Sequence, residues 1–248
     1  MVNRPRQILL LAAGIVGLFA ARGLAGPPYL TDDPEPTDYQ HWEGYLQASG
    51  EHTGGSYLID APALALNYGP LPDTQLSITV PLATAGGTGT RAATGLGDIQ
   101  LSVKYRFVHE TNGWPQIAFF PAVNLATSDA ARGLGNGRTW VQLPVWLQKS
   151  FGAWTADLGG GVGLNSAPGQ RDNAYGGGLL QRSFGDHLTL GGEFFAQSRA
   201  AAGDGAFLAV NGGGDYRFNE HFHLLGSAGH TVAGPSHVFW YFALGWNW

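Results

Sequence analysis

The sequence predicts an all-β protein: a transmembrane antiparallel up-and-down β-barrel of about 12 strands, preceded by a cleaved signal peptide. Three observations carry this. From His41 onward, apolar and polar residues alternate with a period of two. Tight turns alternate with longer links, most of them rich in Gly, Ala and Thr. The final strand places Val238, Trp240, Phe242, Leu244, Trp246 and Trp248 at every second position.

Composition narrows the class further. Of 248 residues, 44% are hydrophobic and only 12% charged, with 39 glycines, 8 tryptophans and no cysteine. Disordered chains are charge-rich and aromatic-poor, so disorder is excluded. Disulfides and thiolate chemistry are excluded outright. A formal net charge of −5 and the lack of any basic run argue against a nucleic-acid partner.

Residues 1–25 read as the signal peptide. Arg4 and Arg6 precede the apolar run Ile8 to Ala21, and Gly23 and Ala25 supply the small residues at the cleavage site. Cleavage removes Arg4, Arg6 and Arg22 and no acid, taking 13 basic residues to 10 against 18 acidic ones. Residues 26–40 hold Asp32, Asp33, Glu35 and Asp38 among four prolines, which rules out helix or interior strand. This segment is expected to be a plug, a gate or a tether at the periplasmic mouth.

Residues 41–248 form the barrel. Strands are expected to begin near Trp42, Tyr57, Gln75, Asp98, Trp114, Thr139, Trp154, Ala174, Leu188, Phe207, Phe222 and Val238. The clearest places Ile99, Leu101, Val103, Tyr105 and Phe107 on one face and Asp98, Gln100, Ser102, Lys104 and Arg106 on the other. The links Thr84 to Gly97 and Ala126 to Arg138 are expected as outer loops, and Trp42, Trp114 and Trp154 as parts of interfacial girdles. A soluble sandwich also alternates, but its outward face needs many more Lys and Glu than this polar face offers. The aromatic end of the last strand (Phe242, Leu244, Trp246, Trp248) is expected to be read by the barrel-assembly machinery.

Several stretches resemble a family of bacterial outer-membrane β-barrel transporters of the "MetA-pathway of phenol degradation" type. They are Thr31 to Pro36, His41-Trp42-Glu43, Asn67-Tyr68-Gly69, Gly95 to Ile99, Lys104 to Phe107, Gly133 to Gly137, Leu180-Gln181-Arg182 and Leu190 to Glu193. The most specific is Leu143-Pro144-Val145-Trp146-Leu147-Gln148-Lys149-Ser150-Phe151-Gly152. The resemblance implies an outer-membrane location and passage of small, aromatic or hydrophobic compounds. It brings no catalytic residue and no cofactor.

If the aliphatic face meets lipid, the other face lines a lumen. Asp98, Gln100, Lys104, Arg106, Gln142, Gln148, Asp157, Glu193, Asp215 and Arg217 are the residues expected to line it and tune selectivity for a small-molecule solute. Trp140 and Trp146 share that parity and offer a stacking surface or a filling for the lumen. Two other readings stay open. A barrel hydrolase acting on lipids or esters would need a serine beside His230, which the sequence does not supply; a structural barrel would have a plugged lumen. His221 and His223 have a spacing zinc can use but no third ligand, so no metal is expected.

Overall fold

The structure is a computed structural model and describes residues 28–248. The expected signal peptide lies outside the described residues. Fourteen strands follow in order: β1 (Trp42–Thr53), β2 (Ser56–Leu71), β3 (Thr74–Gly87), β4 (Thr90–Leu96), β5 (Ile99–Val108), β6 (Gln116–Phe119), β7 (Ala122–Leu125), β8 (Trp140–Phe151), β9 (Trp154–Leu164), β10 (Asn173–Phe184), β11 (Leu188–Gln197), β12 (Phe207–Arg217), β13 (Phe222–Ala233) and β14 (His237–Asn247). Neighbours pair antiparallel, and β1 pairs with β14 from Glu43↔Asn247 to Thr53↔His237, closing the sheet.

The barrel has twelve staves. β3 pairs with both β4 and β5, while β6 and β7 together bridge β5 to β8, so β4 with β5 and β6 with β7 each make one interrupted stave. Every expected strand start falls within two residues of an observed one. Closure satisfies the backbone around the ring, as hydrocarbon requires, while β4 pairs with β3 alone.

Two details differ from expectation. The link Thr84 to Gly97 is a hairpin, not a loop: β3 runs on to Gly87, Gly89 turns the chain at φ 77°, and β4 returns. Its threonines are β-branched and pair across the strands, Thr84 facing Thr94 with their hydroxyls 3.0 Å apart. The fifth stave is split at Phe120-Pro121 because proline has no N–H for the ladder. The Pro121 carbonyl still accepts from the Val103 N–H at 3.0 Å, so the wall stays continuous.

The burial pattern is inside out. On β5, Leu101, Val103, Tyr105 and Phe107 are exposed, while Gln100, Ser102 and Lys104 are buried. The same inversion puts Leu76, Ile78, Leu158, Leu190, Phe194, Leu224 and Phe242 on the outside. A surface of this kind is stable only against lipid. One rim carries the short turns and an exposed set of aromatic rings that includes Trp42, Phe151, Trp154, Phe184, Phe218 and Trp248. Trp42 stacks on Tyr68 at 4.4 Å and on Trp248 at 6.1 Å, the arrangement of an interfacial girdle. The other rim carries the longer links 126–139, 165–172 and 198–206 beside the tight turns 54–55, 88–89 and 234–236.

A band of glycine crosses four staves. Gly159 and Gly160 on β9 face Gly177 and Gly176 on β10, and Gly191 and Gly192 on β11 face Gly213 and Gly212 on β12.

Candidate functional site: a polar lumen crossed by an N-terminal strap

Period two sends the amide and charged side chains of successive strands into the lumen, where they bond across staves. Around one wall runs a chain of contacts. Arg106 Nη1 donates to Gln116 Oε1 at 2.9 Å, and the Gln116 amide bonds to Gln148. Gln148 Nε2 then donates to Asp157 Oδ1 at 2.8 Å, and Gln181 Nε2 reaches Asp157 Oδ2 at 3.3 Å. Deeper, Gln100 Nε2 donates to Asn124 Oδ1 at 3.0 Å, beside the buried Gln142. Amides both donate and accept, so such a lining holds itself together without net charge.

Residues 28–38 cross the lumen as a strap. At one end the Leu30 and Thr31 backbone N–H groups both donate to the Glu193 carboxylate on β11, each at 2.8 Å. The Ser227 hydroxyl on β13 donates to the Pro28 carbonyl. In the middle, Lys104 Nζ on β5 lies 3.1 Å from Asp32 Oδ1 and 3.4 Å from Asp33 Oδ1. At the far end the Thr37 N–H donates to Gln75 Oε1 on β3 at 2.8 Å. β3 and β11 are six staves apart in a ring of twelve, so the strap is tied to opposite walls.

The wall is cut to receive it. A Cβ at Gly177 would lie 2.4 Å from the Thr31 hydroxyl, and one at Gly191 would lie 2.7 Å from the Tyr29 hydroxyl. The strap leaves past Gly69, where a Cβ would meet the Asp38 carbonyl at 2.1 Å. The Gln40 N–H then bonds the Gly69 carbonyl and leads into β1.

Between strap and wall, toward the short-turn rim, lies a cavity of about 540 Å³. Amide and hydroxyl side chains make up much of its lining, with Tyr45, Phe120 and His223 as its aromatic rings. It carries five carboxylates (Asp32, Asp33, Glu35, Glu43 and Asp215) against the cations Lys104 and Arg217.

The residues singled out by sequence fall into distinct places. Gln100, Lys104, Gln142, Gln148, Asp157 and Glu193 are buried inside the barrel; Lys104 is 3% and Asp157 2% exposed. Arg106 is at the short-turn rim, paired with Asp73 at 2.8 Å. Asp215 accepts from His223 Nδ1 at 3.1 Å and lies 3.6 Å from Arg217, whose side chain is largely exposed. Asp98 sits in the gap between β4 and β5 and holds the 126–139 link, accepting from Ser128 Oγ at 2.6 Å and the Asn136 N–H at 2.8 Å. Trp140 and Trp146 point inward but are covered, Trp146 lying over Gly159, and neither lines the cavity. On the outer face Phe242, Leu244 and Trp248 are exposed, while Trp240 and Trp246 lie over Gly50 and Gly44. The His230 ring engages the Thr231 carbonyl at 2.9 Å and is exposed.

Sequence reasoning missed the seats Gly177 and Gly191, the tethers Gln75 and Ser227, and the rings Tyr45 and Phe120. Glycines inside otherwise regular strands were the available signal for a close backbone approach.

Charge states outside the strands follow from their surroundings. Burial raises the Glu35 carboxyl above its ordinary range, and repulsion from Asp33 adds to this, against the opposing pull of Arg106 and Lys104. Burial alone would raise Asp73, but the Arg106 hydrogen bonds and charge, with His109, bring it below the usual carboxylate range. Among the described residues, no group of three or more His, Asp or Glu is placed to hold a metal ion.

Solved structures match this architecture over nearly their whole length. The COG4313 outer membrane channel from Pseudomonas putida F1 superposes with a TM-score of 0.72 at 15% identity, covering 87% of this chain and 98% of that one. This is the fold of outer-membrane β-barrels. The NanC porin gives 0.58 at 8% identity, covering 82% and 98%; the translocator domain of the autotransporter NalP from Neisseria meningitidis gives 0.55 at 12%, covering 84% and 89%. No protein-family model matches the chain, and no curated protein matches it by sequence.

Proposed function

We propose that the protein is an outer-membrane channel for small solutes, with the strap 28–38 narrowing its lumen. The observation that carries this is a polar cavity of about 540 Å³ inside a closed barrel whose outer face is apolar. That volume is in the range of sites that enclose small organic molecules. Short turns mark the periplasmic rim in such barrels, so the cavity opens to the periplasm and the strap enters from there. The similarity to solved channels and porins supports the reading. The phenol-pathway resemblance, together with Tyr45 and Phe120 in the cavity wall, makes small aromatic compounds the solutes to test first.

The test is conductance of refolded protein lacking residues 1–25 in a planar bilayer, on material shown to be folded by heat-modifiable gel mobility. Discrete steps that grow when residues 26–38 are deleted are expected. A folded barrel that stays silent with and without the strap refutes a channel and favours the structural reading.

A further inference from the structure

The cavity is already built around a cation. The Lys104 ammonium lies 3.1 Å from Asp32, 3.4 Å from Asp33 and 3.4 Å from the Glu35 carbonyl, and it stands over the Phe120 ring at 4.7 Å from the centroid. Carboxylate, carbonyl and ring face together are the set that recognises an ammonium group. With Lys104 absorbed by Asp32 and Asp33, the remaining lining is unbalanced. Glu35 and Glu43 also face the cavity, and among the described residues neither has a cationic partner within salt-bridge distance. Among the described residues, Glu43 accepts only a neutral amide hydrogen bond, from Asn67 at 3.2 Å. Asp215 shares His223 and the largely exposed Arg217 at the rim. The apolar outer face and the surrounding lipid, of low dielectric, focus this field along the lumen.

Building on the channel reading, we propose that the lumen prefers cations to anions, that small organic ammonium ions are the charged solutes it favours, and that Glu35 and Glu43 set this preference. Tyr45 and Phe120 in the same wall offer ring faces to an alkylated ammonium, as Phe120 does to Lys104. Carboxylates lining a narrow path are a general means of cation selection.

The experiment is the reversal potential of the refolded barrel under a KCl gradient, repeated with tetraethylammonium chloride and with potassium glutamate. Wild type is expected to show a cation-over-anion permeability ratio on the order of 10, the lower end of the enrichment a charge-lined cleft produces. Current should persist when tetraethylammonium replaces potassium and chloride is the only anion. Glu35→Gln/Glu43→Gln is expected to bring the ratio toward unity. Glu35→Gln alone lies on the strap, outside the barrel wall, so it should lower the ratio without impairing folding. A conducting barrel with a ratio at or below unity, or one the substitutions leave unchanged, overturns this inference and leaves the channel reading standing. A folded barrel that never conducts overturns both.

Discussion

Replacing Lys104 with methionine should release the strap. The substitution keeps the length of the side chain but removes the Lys104 ammonium from beside Asp32, which is 1% exposed. Removing one partner of a buried ion pair costs about 3–5 kcal/mol. The contact to the half-exposed Asp33 adds little, since solvent screens it. An undocked wild-type strap would itself strand the buried Lys104, a penalty the methionine removes, which adds to the loss and makes the lower end a minimum. At about 3 kcal/mol the ratio of docked to undocked strap falls on the order of 100-fold. The chain has no cysteine, so Thr31→Cys gives a single thiol at a 1% exposed position, where the hydroxyl makes no hydrogen bond among the described residues. Maleimide labelling of folded barrels, read as a mass shift against time, should be slow in the Thr31→Cys background and at least about 10-fold faster when Lys104→Met is added. Single-channel records of Lys104→Met should show larger or flickering steps. Equal labelling rates and equal conductance in the two backgrounds would mean that Lys104 does not hold the strap, and the electrostatic argument would fail.

Further outcomes follow from other parts of the molecule. Glu193→Gln weakens two charge-assisted bonds to the strap backbone, so the same Thr31 thiol should label faster while the heat-modifiable gel shift is retained. Leu101→Arg places a charge against lipid and should cost about 2–4 kcal/mol in denaturant unfolding from vesicles if Leu101 lies near the bilayer midplane; a change below half of that would place it at the interface. Because Asp73 is held below the ordinary carboxylate range, its contribution is complete above that range and is lost as pH falls through its lowered value. The acid unfolding limb of Asp73→Asn should therefore be shallower than that of wild type. Deleting Trp248 removes both backbone bonds to Trp42 at the barrel seam and should reduce folded protein in the outer membrane far more than shortening the 198–206 link.

The wall was far more legible than what fills it. Ile99 to Phe107 announces a strand because side-chain direction has a period of two, and lipid on one side makes that period conspicuous. The Thr84 to Gly97 hairpin was hidden because threonine and glycine serve both loops and strands. The strap's docking left no periodic trace: Thr31 and Glu193 are joined across 162 residues by a backbone N–H, a group every residue but proline carries. Inward parity placed Lys104 and Glu193 on the correct face, yet it could not say that each is spent on the strap. Asp98 shares that parity but sits at a break between strands, where its carboxylate organises a link.

The glycine band gives the barrel an uneven stiffness. Elsewhere neighbouring staves are braced by side chains lying against each other as well as by the ladder. At the pairs Gly159–Gly177, Gly160–Gly176, Gly191–Gly213 and Gly192–Gly212 neither partner has a side chain to brace the ladder, so bending at these pairs meets less resistance. Two strap residues, Tyr29 and Thr31, are seated in this compliant quadrant, at Gly191 and Gly177, whereas Asp32 and Thr37 hold the stiffer side. Flexing of the soft wall thus opens or tightens the seat of one end of the strap while the other end stays fixed. The cross-section of the barrel and the position of the strap are thereby coupled as a single mechanical coordinate.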